Sequence, residues 1–160
     1  MIITFCGHRI FDKNEKEFGL YELLCNIIKE NSVEFFIGGY GAFDDYALYT
    51  AIKYKEKHQK TKIYFITPYI DKGYTKLEYY KDKVDGIIYP ELEKVPKKFA
   101  ILKRNEWMIK RADVIIAYVK LSWVGAWNSL EYAKKLKKKI INLANQDYSK
   151  TKNHIRQKAI

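Results

Sequence analysis

Short runs rich in β-branched and aromatic residues take turns, along the whole chain, with stretches whose apolar residues recur at intervals of three and four. Residues 2–5 form the first β-rich run, ending at Gly7. Residues 15–30 then carry Phe18, Tyr21, Leu24 or Cys25, and Ile28 at helical spacing. Residues 33–37 read as a strand closed by Gly38-Gly39-Tyr40-Gly41, and Phe43, Ala47, Ala51 and Tyr54 make the next helical stripe. A third strand at 62–67 stops at Pro68. Residues 69–95 read as irregular, with a weak strand at 85–89. Pro96 suits the first turn of a helix, where its missing N–H costs nothing, and that helix should reach about Arg111. The most apolar strand, 113–119, precedes a helix over 128–137 and a strand at 139–143. This order predicts an α/β domain with a mostly parallel central sheet and helices on both faces. Such sheets bind ligands at the carboxyl ends of their strands, beside the point where strand order reverses. The glycine clusters fall at those ends.

A chain of 160 residues suits one domain, expected over residues 1–145 and followed by a basic tail or short terminal helix at 146–160. Apolar residues at 48% exclude wholesale disorder. The longest apolar run, 114–119, is far short of the roughly 20 residues that cross a bilayer, so no membrane partner is expected. The first nine residues do not read as a signal peptide. Cys6 and Cys25 form no CxxC pair and no metal spacing, so they read as free thiols of a cytoplasmic protein. No metal cluster and no cofactor motif is visible. The net charge of +11 favours anionic partners, which include nucleotides and nucleic acid.

Four stretches carry chemistry. Glycines 38, 39 and 41 let a backbone approach a phosphate, and the following helix N-terminus adds N–H groups. Asp44 occupies the third-glycine position of a dinucleotide fingerprint, which excludes a nicotinamide cofactor at this loop. Asp44 reads either as a cap or as an acceptor for a ribose hydroxyl. Gly7-His8-Arg9 reads either as a turn or as a phosphate contact. Arg104 shares a helical stripe with Ile101, Met108 and Ala112, so it faces the core and must meet a carboxylate, a carbonyl or a bound anion. In Gly125-Ala126-Trp127-Asn128-Ser129-Leu130-Glu131, Asn128 and Glu131 have the spacing of a capping box, and Glu131 precedes Lys135 by one helical turn. The functional alternative for Glu131 is a carboxylate at the ligand end of the sheet, with Gly125 and Asn128 touching the ligand.

Together these stretches resemble the Lonely Guy (LOG) phosphoribohydrolases and the wider SLOG superfamily, over roughly residues 2–143. Residues 3–7 look like the opening strand and Cys-Gly turn, and residues 36–41 look like the first glycine-rich loop. Arg104, Met108, Ala112 and Asp113 match Arg-Lys-x-x-Met followed by Ala-Asp. Glu131 falls where the second loop, Pro-Gly-Gly-x-Gly-Thr-x-x-Glu, ends. The chain departs at His8-Arg9, at Asn105 in place of lysine, and in the second loop, where Trp127 and Asn128 replace glycine and threonine.

The resemblance implies a single Rossmann-like three-layer domain that binds a nucleotide or nucleotide-derived ligand as a sensor or sequestering module. The alternative it implies is a nucleoside 5′-monophosphate N-glycosidase. There Glu131 would stabilise the oxocarbenium-like ribose and Arg104 would orient it or hold the phosphate. A third reading, single-stranded nucleic-acid binding, draws on the basic surface and on SLOG relatives that act on single-stranded DNA. The resemblance also leaves a homodimer open. The tyrosines at 69, 74, 79, 80 and 89 serve either as a partner surface or as cover for one end of the sheet.

Overall fold

The computed structural model describes residues 1–10, 19–29, 31–120 and 125–145. Six strands, β1 (Ile2–Gly7), β2 (Val33–Ile37), β3 (Thr61–Ile66), β4 (Gly86–Ile88), β5 (Val114–Tyr118) and β6 (Lys139–Asn142), form one sheet in the order β4-β3-β2-β1-β5-β6. Every neighbouring pair is parallel. Helices α1 (Leu20–Ile28), α2 (Ala42–Lys57), α3 (Lys76–Lys81), α4 (Ala100–Arg111) and α5 (Gly125–Lys135) fill the connections. This is a Rossmann-like α/β fold in three layers.

The alternation of side chains along each strand divides the core between two faces. Ile3 and Phe5 of β1 and Val114, Ile116 and Tyr118 of β5 face α1 and α2, packing on Leu20, Leu24, Ile28, Phe43, Ala47, Ala51 and Tyr54. Cys6, Ile115 and Ala117 turn the other way, toward Ile109 of α4 and Leu130 and Ala133 of α5. β5 is buried at every position, which is why its sequence is an uninterrupted apolar run. The connection from β4 to β5 carries the chain from one edge of the sheet to the middle and onto the opposite face. Strand order therefore reverses between β1 and β5.

Several expected boundaries move. α1 begins at Leu20 among the described residues and buries Leu20, Leu24 and Ile28; the earlier part of that expected helix lies outside them, as does the 146–160 tail. The stretch read as irregular contains α3, whose Tyr80 is buried and stacks on Phe65 with ring centroids 4.0 Å apart. Its six residues are too few to show a helical repeat. Pro96 opens a 3₁₀ turn at Lys97–Phe99, and α4 follows it. α5 already runs at Gly125, three residues before its expected start.

Gly7 leaves room for α2 to lie against the sheet. A Cβ there would lie 2.3–2.6 Å from atoms of the Phe43 side chain. Gly7→Ala is expected to cost about 1–3 kcal/mol, the range for overpacking a filled core. Urea unfolding checks it, and adding Phe43→Leu should recover part of the loss. An unchanged midpoint would mean that the Phe43 ring gives way freely.

Candidate functional site

A cleft of about 750 Å³ opens at the carboxyl ends of β1 and β5, where strand order reverses. This is where open parallel sheets hold their ligands, and the volume falls in the range of roughly 300–1,000 Å³ usual for small-ligand sites. The floor is the end of β1, Thr4 to Gly7. One wall is Ile101, Arg104, Asn105, Met108 and Ile109 of α4. Tyr40 and Asp44 form another, and Gly125, Ala126 and Ser129 of α5 a third. Arg9 and Lys120, both exposed, complete the lining on the solvent side.

The two strand ends are fastened to each other. His8 N–H donates to the Tyr118 carbonyl at 3.2 Å, and Lys120 N–H donates to His8 Nε2 at 2.8 Å. By accepting that N–H at Nε2, the His8 ring acts as a latch between the two strand ends. Asn142 on β6 grips the same segment, taking the Val119 N–H at 3.1 Å and donating to the Val119 carbonyl at 3.0 Å. The backbone that carries Lys120 is thereby held. Arg9 lies over the Tyr40 ring at 4.6 Å, and Lys120 Nζ over Tyr118 at 5.1 Å.

The glycine loop is shaped by protein contacts. Gly39 has φ +66° and Gly41 φ +130°, backbone regions that favour glycine. Side chains there would also collide, with the Tyr80 hydroxyl at 2.6 Å and Arg9 Cα at 2.6 Å respectively. The Gly39 carbonyl accepts Lys76 Nζ. Two backbone amides that a phosphate cradle would use have partners already. Tyr40 N–H donates to Asp44 Oδ2 at 2.6 Å and Ala42 N–H donates to the Arg9 carbonyl at 2.9 Å. Of this loop, Gly38 and Tyr40 line the cleft, whereas Gly39 and Gly41 do not. The acidic third residue of α2 has taken the first amide of the loop.

Asp44 is the carboxylate among the described lining residues. Burial pushes its pKa above the usual carboxylate value, against the opposing pull of the Tyr40 N–H and of Arg104. Burial also pushes the Cys6 thiol up to about 12, helped by Asp44, so Cys6 is a neutral wall atom.

Arg104 is 1% exposed. Its Nη1 donates to the carbonyls of Gly38 and of Ile66, the latter at 2.7 Å. Its Nε donates to Asn105 Oδ1 at 2.9 Å. Of the three partners expected for it, the carbonyl is the one found. Burial draws its pKa down, with Asp44 opposing.

Arg104 and Glu131 are not brought to one cleft. Glu131 lies outside the lining and pairs with Lys134 at 2.7 Å, not with Lys135. The reason is the helix start. With α5 under way at Gly125, its cleft face is Gly125, Ala126 and Ser129. Glu131, two residues beyond Ser129, is about 200° further round the helix. Asn128 sits inside the helix and is exposed, so it is no N-cap and does not line the cleft. Asn105, Ser129 and Lys120 line the cleft and were missed by sequence reasoning. Ser129 owes its position to the phase of α5, which the sequence alone places poorly.

Two solved structures share this fold. DNA processing protein A from Helicobacter pylori, described for its single-stranded DNA binding mode, matches with a TM-score of 0.62 and 21% identity, over 88% of this chain and 63% of that one. DNA processing protein A (DprA) from Streptococcus pneumoniae matches with a TM-score of 0.65 and 14% identity, over 98% of this chain and 56% of that one. The chain thus spans less than two thirds of the length of either. Neither a protein-family model nor a curated protein matches the chain. At these identities the likeness shows a common Rossmann-like fold and nothing finer.

Proposed function

We propose that the chain binds single-stranded nucleic acid, with one nucleotide entering the cleft between β1 and β5 and its phosphates lying on Arg9 and Lys120. The observation that carries this reading is the cleft itself: an apolar slot walled by Phe5, Ile101, Met108 and Ile109, with two exposed cations in its lining. A base suits the slot and a phosphate suits the rim. The net charge of +11 supports a partner with many phosphates. So does the single-stranded DNA binding described for the Helicobacter pylori protein of the same fold. A free nucleotide, sensed or sequestered, is the second reading. It is favoured by the size of the cleft, which falls in the small-ligand range. An N-glycosidase built on Arg104 and Glu131 is not proposed, because Glu131 faces away and Arg104 is committed to carbonyls.

Strand length and salt separate the two readings. Affinity for a single strand should rise with length, and its logarithm should fall against the logarithm of salt with a slope of about −0.7 per neutralised phosphate, or about −2 or steeper for an oligomer. Fluorescence anisotropy with labelled oligothymidylates, competed with the mononucleotide, measures both. A mononucleotide that binds as tightly as the oligomer, with a flat salt response, would leave the free-nucleotide reading standing.

Arg9→Ala and Lys120→Ala should each weaken binding of all sequences to a similar degree and reduce the salt slope by about one contact's worth. The same titrations check this. An undiminished slope in both would move the phosphates elsewhere.

Asp44 gives binding a pH dependence. Its raised pKa means that acidification neutralises it at a higher pH than the usual carboxylate value of about 3.9. A neutral Asp44 no longer repels a phosphate, and backbone phosphodiesters keep their charge throughout. Affinity should therefore rise on acidification, beginning at a higher pH than an ordinary aspartate would give. Asp44→Asn should bind more tightly at pH 8 and lose most of that rise.

A further inference from the structure

We propose that Asn105 is a specificity-determining residue, selecting bases that turn a keto oxygen toward it: guanine, thymine or uracil over adenine or cytosine. The inference rests on the nucleic-acid reading above and deepens it.

An asparagine amide has one accepting end and one donating end, and which end faces a cleft decides what it can recognise. Here Arg104 decides. A guanidinium has only donors, so the amide atom that meets Arg104 Nε at 2.9 Å must be Oδ1. Arg104 cannot swing away, because Nη1 is bonded to the carbonyls of Gly38 and Ile66 and the side chain is buried. Nδ2 is left toward α5, where it reaches Ser129 Oγ at a long 3.4 Å. A hydroxyl that accepts there keeps its own hydrogen to give. Both residues line the cleft, so its wall between α4 and α5 offers two uncharged donors.

Uncharged donors beside Ile101, Met108, Ile109 and Ala126 are a poor match for a phosphate, which the exposed Arg9 and Lys120 serve better. They match a carbonyl oxygen. The bases differ on their pairing edge in this respect. Guanine, thymine and uracil carry an oxygen where adenine and cytosine carry an amino group. An amino group against Asn105 Nδ2 sets donor against donor, so that each gives up a hydrogen bond to water and gains none. Discrimination of about tenfold follows from one such pairing.

The decisive comparison uses oligodeoxyuridylate and oligodeoxycytidylate of equal length, which share the C2 carbonyl and differ at C4, oxygen against amino, and in the N3 hydrogen. The intact chain and two variants are titrated at one salt concentration. Asn105→Asp keeps an oxygen for Arg104 but replaces the donor with an acceptor. Asn105→Ala removes both ends. The intact chain should prefer oligodeoxyuridylate about tenfold. That ratio should fall to one or invert in Asn105→Asp, and fall to one in Asn105→Ala with both oligomers still bound through the rim. An intact chain that binds both equally overturns the proposal, as does a preference that survives in whichever variants fold. An intact chain that binds neither oligomer defeats the nucleic-acid reading itself, a separate result from loss of the ratio alone.

Discussion

A single buried guanidinium holds the ligand end of this domain together. Arg104 enters from α4 and bonds the carbonyls that end β2 and β3, at Gly38 and Ile66. Burying a charge is costly unless its hydrogens are satisfied, so those carbonyls must stay where they are. The constraint reaches further through Gly38, where a Cβ would come within 3.1–3.3 Å of the guanidinium. It fixes the flip of Asn105 through Nε. It also places a positive charge near Asp44, softening the effect of burial on that carboxyl. One residue thus ties the helix that crosses the sheet to two strands, to the glycine loop and to the wall of the cleft.

The glycine loop shows how a phosphate-binding pattern can be spent on architecture. A helix N-terminus offers amides and a positive dipole end to any anion in reach. In α2 the anion in reach is the chain's own Asp44, which takes the Tyr40 N–H. The Ala42 N–H goes to the Arg9 carbonyl. What those bonds achieve is the placement of Arg9: the loop binds its backbone, and its guanidinium then lies on the Tyr40 ring, 4.6 Å from the ring centre. A guanidinium thus stands on the cleft rim beside a loop whose Tyr40 and Ala42 amides are taken by the protein itself.

The fold was legible because burial dictates it. β5 is apolar at every position because both of its faces are covered, and β2 was bounded to the residue by Val33 and Gly38. The stripe through Ile101, Arg104 and Met108 placed the arginine inside correctly, for a charge on an apolar face has nowhere else to go. The site was less legible because it depends on helix phase and on pairings distant in sequence. Starting α5 at Asn128 put Glu131 in its first turn, beside the strand ends. Starting it at Gly125 turns Glu131 to Lys134 and brings Ser129 inward. The partnership of Arg104 with Gly38 and Ile66 spans 66 and 38 residues, and no local pattern announces it. α3 was missed for a related reason, since its anchor is one ring, Tyr80, stacked on Phe65 of a neighbouring strand.

The cleft separates two tasks that one polar pocket would confuse. Charge sits in its solvent-facing lining, on Arg9 and Lys120, where under the proposed reading it would attract phosphates from a distance without regard to sequence. The wall has mainly apolar atoms and the uncharged donors of Asn105 and Ser129, which act only at contact and only on the right atom. Asp44 sits within the same lining and opposes any anion that slides inward. Under the proposed nucleic-acid reading, that carboxylate makes the rim the better place for a phosphate and the slot the better place for a base.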